Sequence, residues 1–452
     1  MAQNRLDRML RQVRRWRSAG GSDTLKLGSS LSEGDLKDLR RAIDDCIDGR
    51  GGEIAARRRA TAIGAAFLDL DESGRRRFFE LLAEEYDHDD DEVDHAIATV
   101  VRSTSPDERR QAERQLAATL LPRRERLLRR FVGIDGGLPF LIDLREELLP
   151  IRHESQALGA LDEDLRNILA TWFDVALLKL ERLDWSSPAA TLEKLIEYEA
   201  VHAIESWDDL RGRLGASRRC YAYFHPSMPG EPLIFVEVAL TQGIASSLPV
   251  VLDHQAERID ATKADTAIFY SISNCHGGLA GVSLGDLLIK RVVDELSAEL
   301  PNLSIFSTLS PIPGFRSWLE ARLDDDDLLS ETEDAAVGRA ALRTLVERPA
   351  TPAKADAEPF SALLLRLAAR YLTVERRGQR ALDPVANFHL SNGSRVEHIN
   401  WWANPGASGW DRGLTMMVNY RYVPDDIESN HDGYVNSGII PMSSMVEKLT
   451  EN

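Results

Sequence analysis

Ser310 closes an alternating stretch, Ser304-Ile305-Phe306-Ser307-Thr308-Leu309, and is followed at once by Pro311, Ile312, Pro313 and Gly314. Proline fixes φ and removes an amide donor, so a sheet ladder has to stop here. "LSPIPGF" therefore has two readings: a punctuating turn, or a rigid mount that holds one hydroxyl still. His389, in "NFHLSNG", is the second candidate. Between Phe388 and Leu390, in strand-like text, a histidine is ordinarily a satisfied core or edge residue. Asn387, Asn392 and Gly393 nearby offer donors and a tight turn that can orient the ring. Ser-His-Asp hydrolysis is not indicated, because no G-x-S-x-G elbow occurs.

A third stretch, "SISNCHGGLAGVSLG" (271–285), runs from strand-like text through Gly277, Gly278 and Gly281 toward a helix. Glycines permit close backbone approach, and a helix N-terminus supplies free amides and partial positive charge, which together suit a phosphate. The spacing is neither the dinucleotide fingerprint nor a Walker loop, so a plain turn with packing glycines is the leading reading and a phosphate cradle the second. Lys290 and Arg291 follow and can meet another phosphate or simply face water, and Cys275 lies within the loop. "EEYDHDDDEVDH" (Glu84 to His95) lacks the glycine and final glutamate of a calcium loop and reads as a solvated helix end. "LDDDDLL" (Leu323 to Leu329) reads as a charged loop, and "RRERLLRR" (Arg123 to Arg130) as a salt-bridged helix face. No metal site is expected.

The elements that must position these residues fall into two textures. Residues 1–173 read as an all-helical bundle. Ser32 caps a helix with Leu36, Leu39, Ile43 and Ile47 on one face, and Ser105 caps another with Pro106 at its first position. "LDEDLRNILATWFDVALLKLERLDW" reads as one long amphipathic segment ending near Trp185. Residues 174–452 read as α+β. "CYAYFHP" and "PLIFVEVAL" form a hairpin, "TAIFYSIS" is a third strand, and Ser283 to Leu300 is a helix. "LSIFSTLS", "VANFHL" and "GLTMMVNYRYV" are later strands.

The 452-residue chain carries a formal charge of −18, which argues against phosphate-backbone binding to nucleic acid. Three scattered cysteines give no disulfide framework and fit a reducing compartment. No apolar run approaches the ~20 residues of a membrane span. Met1 to Ser18 is arginine-rich without an apolar core, and Leu449 to Asn452 is not a peroxisomal address. A cytoplasmic protein without a membrane partner is expected.

From about Trp185 to Tyr422, "RRCYAYFHPSMPGEPLIFVEVALT", "AIFYSIS", "GLAGVSLGDLLIKRVV", "FSTLSPIPGF", "PVANFHL" and "NYRY" occur in an order that resembles the malonyl-CoA decarboxylase family. The resemblance implies a helical oligomerisation domain followed by a catalytic domain like the GCN5-related acetyltransferases (GNAT). It implies conversion of malonyl-CoA to acetyl-CoA and CO2 with no metal or organic cofactor, by a homo-oligomer (dimer or tetramer) held through the helical domain. It puts the catalytic residues at Ser310 and His389. It puts the CoA-contacting loop at Ala280, Gly281, Val282, Ser283, Leu284, Gly285 and Asp286. Cysteine regulation between subunits is not expected, since "SSPAATLEK" and "FHPSMPG" lack cysteine. An acyltransferase passing an acyl group to an amine, or a non-catalytic CoA-binding scaffold, are the alternatives. The decarboxylase reading requires Ser310 and His389 to meet in space.

Overall fold

The computed structural model describes residue 16 and residues 25–253, 260–282, 284–285, 288–325 and 335–450. The chain forms two compact units. The first is Met1–Lys179 with Phe224–Glu231 and Asn274–Ser283, and the second is Leu180–Tyr223, Pro232–Ser273 and Leu284–Asn452.

Helices dominate the first unit: α1 (Glu33–Ile47), α2 (Gly52–Leu68), α3 (Glu72–Glu85), α4 (Asp90–Arg102), α5 (Pro106–Thr119), α6 (Arg123–Val132), α7 (Gly137–Leu148) and α8 (Gln156–Trp172). Their starts follow from the sequence. The Ser32 hydroxyl accepts the Asp35 amide while the Asp35 carboxylate accepts the Ser32 amide, and Ser105 and Glu108 repeat this capping box ahead of Pro106. Leu36, Leu39, Ile43 and Ile47 are buried as their spacing predicts. An aromatic knot of Trp16, Phe67, Phe78, Phe79, Phe131 and Phe140 fills the centre. By contrast, α4 and α5 each bury a single residue, Ala96 and Ala112.

The second unit is built on an eight-stranded mixed sheet. Its strands are β1 (Lys179–Leu183), β2 (Arg218–Phe224), β3 (Pro232–Thr241), β4 (Thr266–Asn274), β5 (Ile305–Thr308), β6 (Ser310–Pro311), β9 (Arg395–Asn400) and β10 (Met417–Tyr422). A separate two-stranded ribbon joins β7 (Arg376–Arg377) to β8 (Arg380–Ala381). The order is β1-β2-β3-β4-β5-β10-β6, with β9 also on β10. β3 is buried at every position but its last, which is why it reads as a continuous apolar run. β4 and β5 are parallel, and β5 and β10 antiparallel. β5 and β6 share one register on β10, Phe306 opposite Tyr422 and Ser310 opposite Val418. They are thus one strand broken at Leu309.

Three expectations are corrected. "VANFHL" is a helix, α10 (Pro384–Ser391), because Asp383 caps it and Pro384 takes its first position. An apolar run this short cannot be assigned by periodicity. The amphipathic segment does not run to Trp185: α8 stops at Trp172 and the text beyond supplies β1. The helix expected from Ser283 is α9 (Leu288–Glu299) in the described residues, and Ser283, Asp286 and Leu287 lie outside them.

Candidate active site

The break at Leu309 creates the site. The Leu309 amide turns to the Phe269 carbonyl on β4 at 3.0 Å. On the β10 side, side chains replace the ladder. The Thr308 hydroxyl accepts the Tyr420 amide at 3.0 Å, and the Thr308 carbonyl accepts Asn419 Nδ2 at 2.6 Å. Pro311 and Pro313 cannot resume pairing as donors. Gly314 lies against the Tyr371 hydroxyl where any Cβ would collide. Tyr371 also reaches Asp383, so the serine turn and the cap of α10 share one brace. Asp383 is fully buried and accepts the Val385 and Ala386 amides at 2.9 and 2.8 Å. Burial pushes its carboxyl up to about 6, against the pull of those amides.

This brace brings the two sequence candidates together. Ser310 Oγ stands 3.0 Å from His389 Nε2 and donates to Thr308 Oγ1 at 2.9 Å. His389 Nδ1 is 2.8 Å from the Tyr422 hydroxyl, and the ring stacks on Tyr420 at 4.6 Å between centroids. His389 is 3% exposed, and burial alone pulls its pKa down to about 3. The imidazole is therefore neutral at neutral pH, with one N–H and one lone pair, so one flanking hydroxyl donates to it and the other accepts. Burial holds the Tyr420 and Tyr422 phenols well above their ordinary pKa and so protonated. A cleft of about 350 Å³ opens beside Tyr422, lined also by Ile289, Val293, Asn392, Ile427 and His431.

The loop candidates are placed in two groups. Ala280, Gly281 and Val282 belong to the helical unit. There the buried Arg145 guanidinium donates to the carbonyls of Gly278 and Ala280 at 2.8 and 2.7 Å while Asp162 holds its Nε at 2.7 Å. Gly281 has φ +74°, which favours glycine. Leu284 and Gly285 belong to the sheet unit. A Cβ on Gly285 would lie 2.5 Å from the ring of Phe388, the neighbour of His389. Cys275 is buried. Among the described residues no group of three His, Cys, Asp or Glu side chains can hold a metal ion.

Sequence reasoning missed Thr308, Tyr371, Asp383, Tyr420 and Tyr422. A signal for two of them exists: in "NYRY" the alternation of a strand puts Tyr420 and Tyr422 on one face.

A buried hydroxyl–imidazole–phenol chain at a broken strand has the chemistry to pass a proton. The family model for the malonyl-CoA decarboxylase C-terminal domain matches residues 176–452, and that for its N-terminal domain matches 86–173. The chain is 36% identical over 476 residues to the mitochondrial malonyl-CoA decarboxylase of Anser anser anser, covering 98% of this chain and 93% of that protein. The Rattus norvegicus mitochondrial enzyme is 37% identical over 75% of this chain and 73% of its own. The crystal structure of malonyl-CoA decarboxylase from Rhodopseudomonas palustris superposes with a TM-score of 0.84 at 39% identity, covering 91% of this chain and 99% of that one. That from Agrobacterium vitis gives 0.84 at 38% with the same coverage. The chain belongs to the malonyl-CoA decarboxylase family.

Proposed function

We propose that this chain is a carboxy-lyase that converts malonyl-CoA to acetyl-CoA and CO2, using Ser310 and His389 and no metal or organic cofactor. The observation that supports this most is the unbroken contact chain from Ser310 through His389 to Tyr422. Loss of CO2 leaves an enolate, whose charge sits on the thioester oxygen and at C2. Burial keeps His389 neutral, but a substrate carboxylate in the same low-dielectric pocket favours the imidazolium. His389 then donates Nδ1–H to Tyr422 and Nε2–H to Ser310, and the Ser310 O–H faces the malonyl group. As CO2 departs, the negative charge stays in place on the enolate. The Ser310 proton passes to C2 while the His389 Nε2 proton refills the hydroxyl, leaving acetyl-CoA and a neutral imidazole. A positioned acid contributes ~10²–10⁴-fold, and a donor aimed at developing charge about 3–4 kcal/mol. The loop at 280–286 is assigned to CoA, so that binding energy from the carrier orients the short malonyl arm.

We assign 1–173 to oligomerisation and 174–452 to catalysis. A homo-oligomer is favoured by the α4–α5 pair, which leaves Ile97 and Val101 exposed and carries exposed Leu120 and Leu121 at its end. Cytoplasmic residence is favoured by three free cysteines, all buried. The test is malonyl-CoA given to purified protein with no acceptor. Release of CO2 and acetyl-CoA, lost in Ser310→Ala, supports the reading. Acyl transfer only when an amine is added overturns it.

A further inference from the structure

Thr308 is where the broken strand lets go of β10, and its backbone and side-chain oxygens are held from opposite sides. Its carbonyl and that of Ala245 can only accept, so Asn419 turns Nδ2 to both, at 2.6 and 3.0 Å. Asn419 Oδ1 is then left to accept Asn400 Nδ2 at 2.7 Å, which aims Asn400 Oδ1 at His398 Nδ1, 2.6 Å away. Donor and acceptor sense is thereby fixed along the whole amide chain. On the hydroxyl side, the Tyr420 amide can only donate, and it takes one lone pair of Thr308 Oγ1. One lone pair and one proton remain, and both are within reach of Ser310 Oγ at 2.9 Å.

We propose that Thr308 is the positioning residue of Ser310, its hydroxyl switching from acceptor to donor as the serine proton turns to the substrate. The inference rests on the reading of Ser310 given above. In the structure Ser310 donates to Thr308. When Ser310 accepts from His389 and presents its own proton to the malonyl group, the Thr308 proton rotates onto the free lone pair of Ser310 Oγ. Charge that develops there meets two donors instead of one, with no heavy atom displaced. Asn419 keeps Thr308 in place from the far face of the sheet, so a single proton rotation suffices.

The test compares Thr308→Val, Thr308→Ser and Thr308→Cys with wild type in steady-state decarboxylation. Thr308→Val should lower kcat by ~10–100-fold with KM within about two-fold, as a lost transition-state donor does. Thr308→Ser, which keeps the hydroxyl, should stay within about three-fold of wild type. If the valine variant does not fold, Thr308→Cys decides, because its weak S–H donor should leave kcat at least ~5-fold below the serine variant. In the Ser310→Ala background, Thr308→Val should remove nothing further, a coupling that a packing role would not produce. Wild-type kcat in Thr308→Val, an equal loss in Thr308→Ser, or full additivity with Ser310→Ala overturns the proposal. Should Ser310→Ala itself keep wild-type kcat, it is the serine assignment that falls.

Discussion

Two buried polar clusters are built on the same sheet and follow opposite rules. Around Ser310, His389, Tyr420 and Tyr422 the hydrogen-bonding partners of the imidazole are neutral hydroxyls. Across β3 and β4, Arg213 donates to Asp209 at 3.0 Å and to Glu237 at 3.1 Å. Beside them Glu199 accepts the Ser271 hydroxyl at 2.7 Å. Both clusters are largely buried, yet their titratable groups move apart. Burial drives His389 down to about 3. Burial, with Glu199 adding and Arg213 opposing, drives the Glu237 carboxyl up to about 8. The second cluster carries its own charge, the Arg213 guanidinium held by Asp209, and has no use for an arriving one. A neutral one is a site whose protonation state is left for the substrate to set.

The sharpest break between the clusters is catalytic. Ser310→Ala and His389→Ala should each lower kcat by ~10²–10⁴-fold with little change in CoA affinity or thermal midpoint. Turnover assays with unfolding curves check this, and full activity in His389→Ala would remove the imidazole from the mechanism. The ionic cluster should respond the other way. Arg213→Met strands the Asp209 carboxylate and leaves buried Glu237 without its donor, and should destabilise the fold by about 3–5 kcal/mol, leaving kcat per folded molecule unchanged. Denaturant titration measures it, and a loss below about 1 kcal/mol would mean that the pair does not hold the fold.

These contrasts mark what was legible. The helix caps at Ser32 and Ser105 were readable because a cap is a local arrangement of a few residues. Ser310 was readable because Pro311 and Pro313 announce the end of a ladder. The helix that carries His389 was not: eight residues support either period, and the deciding signal was Asp383-Pro384 just ahead. Thr308 and Tyr422 owe their roles to strand register. The Tyr420 amide meets Thr308 across 112 positions, and Tyr422 meets His389 across 33. Such pairings are absent from any local pattern. The Glu237–Arg213 pair was invisible for the same reason, since "PLIFVEVAL" shows one glutamate in an apolar strand and nothing of its partner.

The neutral site makes a further expectation, in proton uptake. If the substrate carboxylate sets the imidazole charge, binding a non-decarboxylating malonyl-CoA analogue near pH 7 should take up about one proton. Calorimetry in buffers of different ionisation enthalpy reads this as a slope, and His389→Phe should flatten it. A flat slope in wild type would mean that His389 stays neutral throughout, and that the C2 proton comes from elsewhere.

The smallest effect separates the clusters by the sign of their pH dependence. Native His389 refuses a proton that the unfolded chain accepts below about 6.5, so its contribution to stability is lost as pH falls from there toward 3. Native Glu237 keeps a proton that the unfolded chain releases above about 4.5, so its contribution is lost as pH rises toward 8. Glu237→Gln carries no titrating proton and keeps an acceptor for Arg213. Its thermal midpoint should therefore fall less than that of wild type between pH 5 and 8, by a few degrees. The acid-side loss, which belongs to His389, should be unchanged. If the two proteins instead run parallel above pH 5, the Glu237 carboxylate is ionised throughout, and Arg213 overcomes burial in the second cluster.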